Sequence, residues 1–323
     1  MWNPTEALPE EFLTIPSRVY AEDPLWHPED SRSVAAAFSA QNPYFSRNRA
    51  WVGIKPGKAR LAGFFNPDLR VDNKPVAYFG YWESMDEVEP NQELFAECER
   101  WAKEQGAARL YGPINFTTFS SYRIRLNAFE YGYFPSEPYN LPYYQKLLEA
   151  VGYSCSHKYF SHVSGMESTA KKVERKRSSL QGASLERFSF ELMDGTMMAR
   201  ALPEIYGLVE SIFGDNFGYT SIPLEALAAG FVKPYARRLC PRTSVMCRSP
   251  EGEVAAVLMT FPDYGPLVEQ RHPEAKSLAD ITFEHDFDRL EQKTLLLKSV
   301  GVSPNFRKLG LYNKLLEKSL EQA

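Results

Sequence analysis

The sequence predicts a mixed α/β protein made of two units of similar build, each a twisted mixed sheet flanked by helices. Three observations support this. Short β-rich apolar runs alternate with helix-period segments along most of the chain, the pattern of sheets covered by helices. The 323 residues suffice for two cores at roughly 150 residues each. The C-terminal stretch from Lys293 onward reads as strand, short polar turn with one glycine, then helix. The expected division is an N-terminal unit over 1–165, a linker over 166–187 and a C-terminal unit over 188–323.

In the first unit, Trp51–Lys55 and Ala59–Phe65 read as strands joined at Pro56-Gly57, and Val76–Trp82 as a third. Asn91–Glu104 is a helix with Leu94, Phe95, Cys98, Trp101 and Ala102 along one face, ended by Gly106. Arg109–Gly112 is the next strand, Leu141–Val151 a helix capped by Gly152, and Tyr153–Ser164 a returning strand. The basic run Lys171–Arg177 reads as a solvated linker helix, with a phosphate-binding arm as the alternative. In the second unit, Phe188–Met193 is a strand, Leu202–Phe213 a helix facing inward through Ile205, Leu208, Val209 and Ile212, and Leu224–Val232 a further helix. Thr243–Cys247 and Val254–Phe261 form a hairpin around Pro250-Glu-Gly252. An insertion over 262–292 precedes the strand Thr294–Val302 and a helix with Leu311, Leu315, Leu316 and Leu320.

A hydrophobic content of 44% with 24% charged residues is that of an ordinary soluble protein. The net charge of −4 gives no overall attraction to nucleic acid or an anionic membrane. No apolar run approaches the roughly 18 residues of a membrane span, and the acidic N-terminus is no signal peptide. Cys98, Cys155, Cys240 and Cys247 show neither C-x-x-C pairing nor histidine partners at metal spacing, so reduced thiols, a cytoplasmic location and no bound metal are expected. The oligomeric state is not legible.

A strand, a tight turn and a helix N-terminus together present backbone N–H groups and a positive dipole end to an anion, and Arg307 and Lys308 add cations beside it. A diphosphate-bearing cofactor suits that chemistry. The segment is neither a P-loop nor a dinucleotide fingerprint. Arg307-Lys308-Leu309-Gly310-Leu311-Tyr312 resembles the Arg/Gln-x-x-Gly-x-Gly/Ala loop of the GNAT acyltransferase superfamily, matching at Arg307 and Gly310 and departing at Tyr312. Val300-Gly-Val302-Ser-Pro304 looks like the strand that pairs with pantetheine there. An ordinary β-turn-α unit with a basic helix is the alternative.

Phe12-Leu-x-x-Pro16, Tyr20-x-x-Asp-Pro-Leu-Trp26, Gly112-Pro-Ile-Asn115, Pro142-Tyr-Tyr144 and Asn216-Phe-Gly-Tyr219, in that order, resemble a bacterial tandem-GNAT family. The resemblance implies acetyl-CoA or another acyl-CoA as co-substrate, held by Val300, Val302 and the run from Arg307 through Asn313. It implies transfer to a small amine or amino-acid-like acceptor near Asn216, Phe217 and Tyr219. An inert binding or regulatory protein, or transfer from a carrier-protein thioester, are the alternatives. The turn Glu83–Asn91 has four carboxylates and no glycine, so it should repel a diphosphate, leaving the first unit a scaffold. The family often places a Glu on the strand before the cofactor loop and a Tyr on a later helix. Leu296 and Lys298 stand on that strand here, so the catalytic residues stay unassigned. His285, between Glu284 and Asp286, is a candidate base or a solvated loop histidine; Tyr122, Arg123 and Arg125 are candidates for binding an anionic acceptor. The family's domain continues beyond such a helix, so the sequence is expected to be a fragment.

Overall fold

In a computed structural model of the chain, all residues are described except 1, 136, 178–184, 229–232, 271, 273, 275, 322 and 323. The strands in chain order are β1 (Arg49–Lys55), β2 (Ala59–Val71), β3 (Lys74–Ser84), β4 (Arg109–Tyr111), β5 (Ser189–Leu192), β6 (Val245–Arg248), β7 (Val254–Pro262) and β8 (Leu295–Val302). The first helices are α1 (Glu10–Val19), α2 (Ser31–Ala37), α3 (Val88–Glu104), α4 (Tyr144–Ala150), α5 (Met166–Arg177) and α6 (Gly195–Arg200). They are followed by α7 (Leu202–Phe213), α8 (Leu224–Leu227), α9 (Lys233–Arg238), α10 (Gly265–Val268), α11 (Phe283–Asp286) and α12 (Leu311–Leu320). No described helix is long and apolar enough to cross a membrane.

The chain forms two compact units. The first comprises Met1–His157 together with Phe217–Thr220 and Gly265–Ser277; the second holds Lys158–Asn216, Ser221–Tyr264 and Leu278–Ala323. Each contains a four-stranded sheet, in order β1-β2-β3-β4 and β5-β6-β7-β8.

In the first unit β1, β2 and β3 are an antiparallel meander, and β4 pairs parallel to β3. Asp72 and Asn73, with φ of 50° and 59°, make the tight hairpin between β2 and β3. One sheet face packs on α3 and α4 through Leu61, Phe79, Leu94, Phe95, Trp101 and Leu147. The other carries Phe64 and Tyr78, packed with Phe12 of α1 and Phe38 at the end of α2.

In the second unit β5 to β8 are antiparallel throughout. α12 lies on one face, burying Leu311 and Leu315 against Val245, Ala256 and Leu258. The opposite face holds Met193, Ile205, Leu208, Val257 and Met259, where α7 packs. Gly301 lets α7 approach, because a β-carbon there would lie 2.5 Å from Ile212 Cδ1.

The strand that feeds each long helix has the same irregularity. On β3, Tyr81 and Trp82 together oppose Leu61, and Tyr81 has φ 46°. On β8, Ser299 and Val300 together oppose Leu258, and Ser299 has φ 56°. Such bulges twist a strand and re-aim its residues. The two units thus repeat meander, bulged strand, turn and helix.

Two expected elements differ. Residues 153–164 are irregular and largely exposed, because Phe160 at 77% and Val163 at 84% exposure meet no facing layer. The helix expected over 224–232 runs from Leu224 to Leu227, and 229–232 lie outside the described residues.

Candidate functional site

Two groups of residues have a geometry suited to chemistry, one in each unit. The first is the loop from β8 to α12. β8 is the terminal strand of its sheet among the described residues, so one of its backbone edges has no neighbouring strand there. Val300 and Val302 turn their side chains to the α12 face and are half-buried. Pro304–Phe306 forms a single 3-10 turn, after which Arg307, Lys308 and Leu309 are exposed. Lys308 has φ 69° and Gly310 φ 89°, so the chain enters α12 through two left-handed residues. Glycine takes this conformation without the steric cost of a β-carbon. Gly310 is the N-cap of α12, and no side chain caps it. The first-turn amides of Leu311, Tyr312 and Asn313 therefore point outward beside two cations, as an anion site requires. Tyr312, 47% exposed, stands at the rim.

At the corresponding edge of the first unit the chain bonds to itself. Beyond the β3–β4 pairing, Ile114 N–H donates to Phe79 O at 2.7 Å and Tyr81 N–H donates to Asn115 Oδ1 at 2.7 Å. Gly80 makes room, since a β-carbon would lie 2.5 Å from Ile114 O. The Gly112–Asn115 segment thus fills the edge that β8 leaves open. Of the turn carboxylates, Glu83 faces inward and Glu87 pairs with Lys58.

The second group was not legible in the sequence. Tyr20 Oη donates to Glu83 Oε2 at 2.8 Å, and Tyr144 Oη donates to the same oxygen. Tyr143 Oη donates to Ser84 O at 2.7 Å, and Ser84 N–H donates to Tyr144 Oη at 3.2 Å. Arg60, fully buried, binds Phe12 O at 2.8 Å and Glu29 at 2.6 Å. Glu83 keeps some surface on solvent, yet its carboxyl group is closely surrounded by protein. Desolvation raises its pKa to about 7, against the opposing pull of Arg60 and the two tyrosines. Burial and the Glu83 charge push both tyrosines well above their ordinary value. Glu83 stands on the bulged strand β3 and Tyr144 on α4, both in the first unit.

Most of the short sequence motifs pack within the first unit. Tyr20 stacks on Trp26 at 5.0 Å, and Asp23 accepts from Tyr139 at 2.7 Å. Tyr78 Oη donates to Gly218 O at 3.0 Å. Phe217 stacks on His157 at 3.9 Å and meets Tyr111 edge-on, while Tyr219 meets Phe119. Phe217 and Tyr219 thus belong to the first unit, whereas Asn216 and the run from Arg307 through Asn313 belong to the second.

The other candidates have structural partners. His285 is exposed and lends its backbone N–H to the Thr282 cap, while buried Asp286 holds Arg289 at 3.0 Å. Arg123 stacks on Tyr122 and faces Glu137 at 3.9 Å. The Lys171–Arg177 run lies on α5, which packs on α12 and buries Val173. Among the described residues no group of three His, Cys, Asp or Glu could hold a metal ion.

The class these features define is an α/β protein with two four-stranded sheets, the second followed by a turn and a glycine-capped helix. No family model matches the chain. It is 27% identical over 147 residues to Protein YghO of Escherichia coli strain K12, a match covering 44% of this chain and 38% of that protein. A fungal multi-domain GH3 beta-N-acetylglucosaminidase with a GCN5-related glucosamine N-acetyltransferase region aligns over 97% of this chain and 33% of its own, with TM-score 0.43 and 13% identity. L-PGS from Bacillus licheniformis aligns over 98% of this chain and 74% of its own, with TM-score 0.33 and 12% identity. The chain spans well under half of the E. coli and fungal proteins' lengths, and the architecture stated here rests on its own sheets and helices.

Proposed function

We propose that the chain is an acyl-CoA-dependent acyltransferase of GNAT type, with the donor bound in the second unit and a small amine or amino-acid-like molecule as acceptor. The observation that carries this reading is the glycine-capped start of α12 beside a bulged edge strand, with Arg307 and Lys308 exposed next to it. The first-turn amides and the two cations suit a diphosphate, and the open edge of β8 at Val300 and Val302 suits an extended pantetheine arm. The thioester of the bound donor supplies an activated acyl group. This chain's residues hold and orient it. An amine acceptor must lose a proton to attack, and β8 offers Leu296 and Lys298 rather than a carboxylate.

Acetyl-CoA or a longer acyl-CoA is expected to raise the melting temperature, by about 2.7 kcal/mol of added stability at a hundredfold excess over Kd. Gly310→Trp should abolish binding while unfolding stays cooperative. Arg307→Ala should weaken it roughly tenfold through the loss of a charge-assisted contact. Equal calorimetric affinity in both variants would overturn the reading. A second reading, an inert binding protein, is favoured by Tyr312 at the rim and by the missing carboxylate on β8. It predicts that acyl-CoA binds but no amine in a broad panel releases free thiol.

A further inference from the structure

The first unit contains a cavity of about 320 Å³ that the cofactor loop does not use. We propose that it binds a free amino-acid-like zwitterion, its ammonium toward Glu22 and Asp23 and its carboxylate toward Arg125. The acidic side is built by the end of α1. Val19, its last residue, lines the cavity, so the C-terminal end of α1, the end of a helix that favours cations, is at the cavity wall. Asp23 is fixed at both oxygens. Oδ1 accepts from Leu25 N–H at 3.0 Å and Oδ2 from Tyr139 Oη at 2.7 Å, which leaves lone pairs on each for an ammonium. Glu22 is exposed at the mouth.

The basic side is equally fixed. Arg125 donates to Tyr131 O at 2.8 Å and Gly132 O at 3.4 Å, and its guanidinium lies 5.0 Å from the centre of the Tyr139 ring. Buried Asn140 clamps its backbone, accepting from Arg125 N–H at 2.6 Å and donating to Arg125 O at 3.2 Å. Leu25 and Leu141 supply an apolar wall between the charges. The surrounding segment 112–143 has no helix or named strand among its described residues, yet it is tied down by these side chains. A long ordered loop of this kind usually serves binding. Glu137, Glu130 and Asp23 lie within electrostatic reach of Arg125 and compensate its charge in part, and a lone cation or anion would match one side of the cavity only. A zwitterion satisfies both, and the wall selects apolar side chains.

The test is isothermal titration of the whole chain, without any acyl-CoA, against each of the common L-amino acids and the matching amines and acids that lack one charged group. At least one apolar L-amino acid should bind saturably, and its amine and acid analogues should each bind about tenfold or more weakly, the loss of one charge-assisted contact. Arg125→Met should erase the preference over the amine, and Glu22→Gln should reduce the preference over the acid. No binding by any amino acid at about 10 mM, or analogues that bind as well as the amino acid, overturns the proposal. Because the donor is absent, failure here leaves the cofactor reading intact. Gly310→Trp should bind the amino acid as the parent chain does.

Discussion

Glu83 is the residue whose environment most changes its chemistry. Two tyrosine hydroxyls donate to its Oε2, and desolvation holds the carboxyl near pKa 7 against an ordinary 4.5. The folded chain therefore keeps a proton at this site across a range where the unfolded chain has lost it. Below pH 4.5 both states hold the proton; between 4.5 and about 7 only the folded state does. Stability from this group thus falls as pH rises through that window and is level above it. Glu83→Gln, which cannot ionise, should remove the decline. The melting-temperature advantage of the parent chain over the variant should shrink from pH 4.5 to 7 and then stay constant. A difference independent of pH would show that Glu83 titrates near its ordinary value.

At the scale of elements, the two bulged strands differ at their edges. β3 has its edge covered by the chain itself, and Gly80 is what permits the contact. Gly80→Ala should force Ile114 and Asn115 away, costing about 1–3 kcal/mol, because the atom met is a backbone oxygen that cannot rotate aside. Urea unfolding would measure the loss, and a change under about 0.5 kcal/mol would mean that the segment gives way freely. The sequence revealed those elements whose signals are local. α7 starts and stops as its apolar period predicts, at Leu202 and Phe213, and the glycine turn into α12 follows from one residue type. α1 escaped notice because Pro16 lies inside it. Residues 153–164 have strand-like composition without a sheet to join, and only the fold reveals that. The Glu83 cluster was illegible for a related reason. Its tyrosines lie 63 and 61 positions away along the chain, and no periodicity links them. Read alone, Glu83 is one carboxylate among four in a turn.

At the scale of the whole molecule, the two units share a bulged strand followed by a helix and differ in a way that binding stoichiometry can read. Both units have a meander, a bulged strand and a helix. In the second, the strand is terminal, the helix begins at a left-handed glycine and two cations stand free of the surface. In the first, the strand edge is filled by Ile114 and Asn115, and α3 follows Glu87 with Glu89 in its first turn. A carboxylate there opposes a phosphate, though the filled edge is the stronger obstacle, since surface charge is screened by solvent and salt. The chain should therefore bind one equivalent of acyl-CoA, not two. Replacing Asp86 and Glu87 together by Lys removes the acidic turn without opening the edge, and costs little stability because the Lys58–Glu87 pair is exposed. Calorimetry of that double variant should still give one equivalent at unchanged affinity. A second equivalent would mean that repulsion alone had kept the first unit empty. A tenfold loss, about 1.4 kcal/mol, would mean that the cofactor had been assigned to the wrong unit.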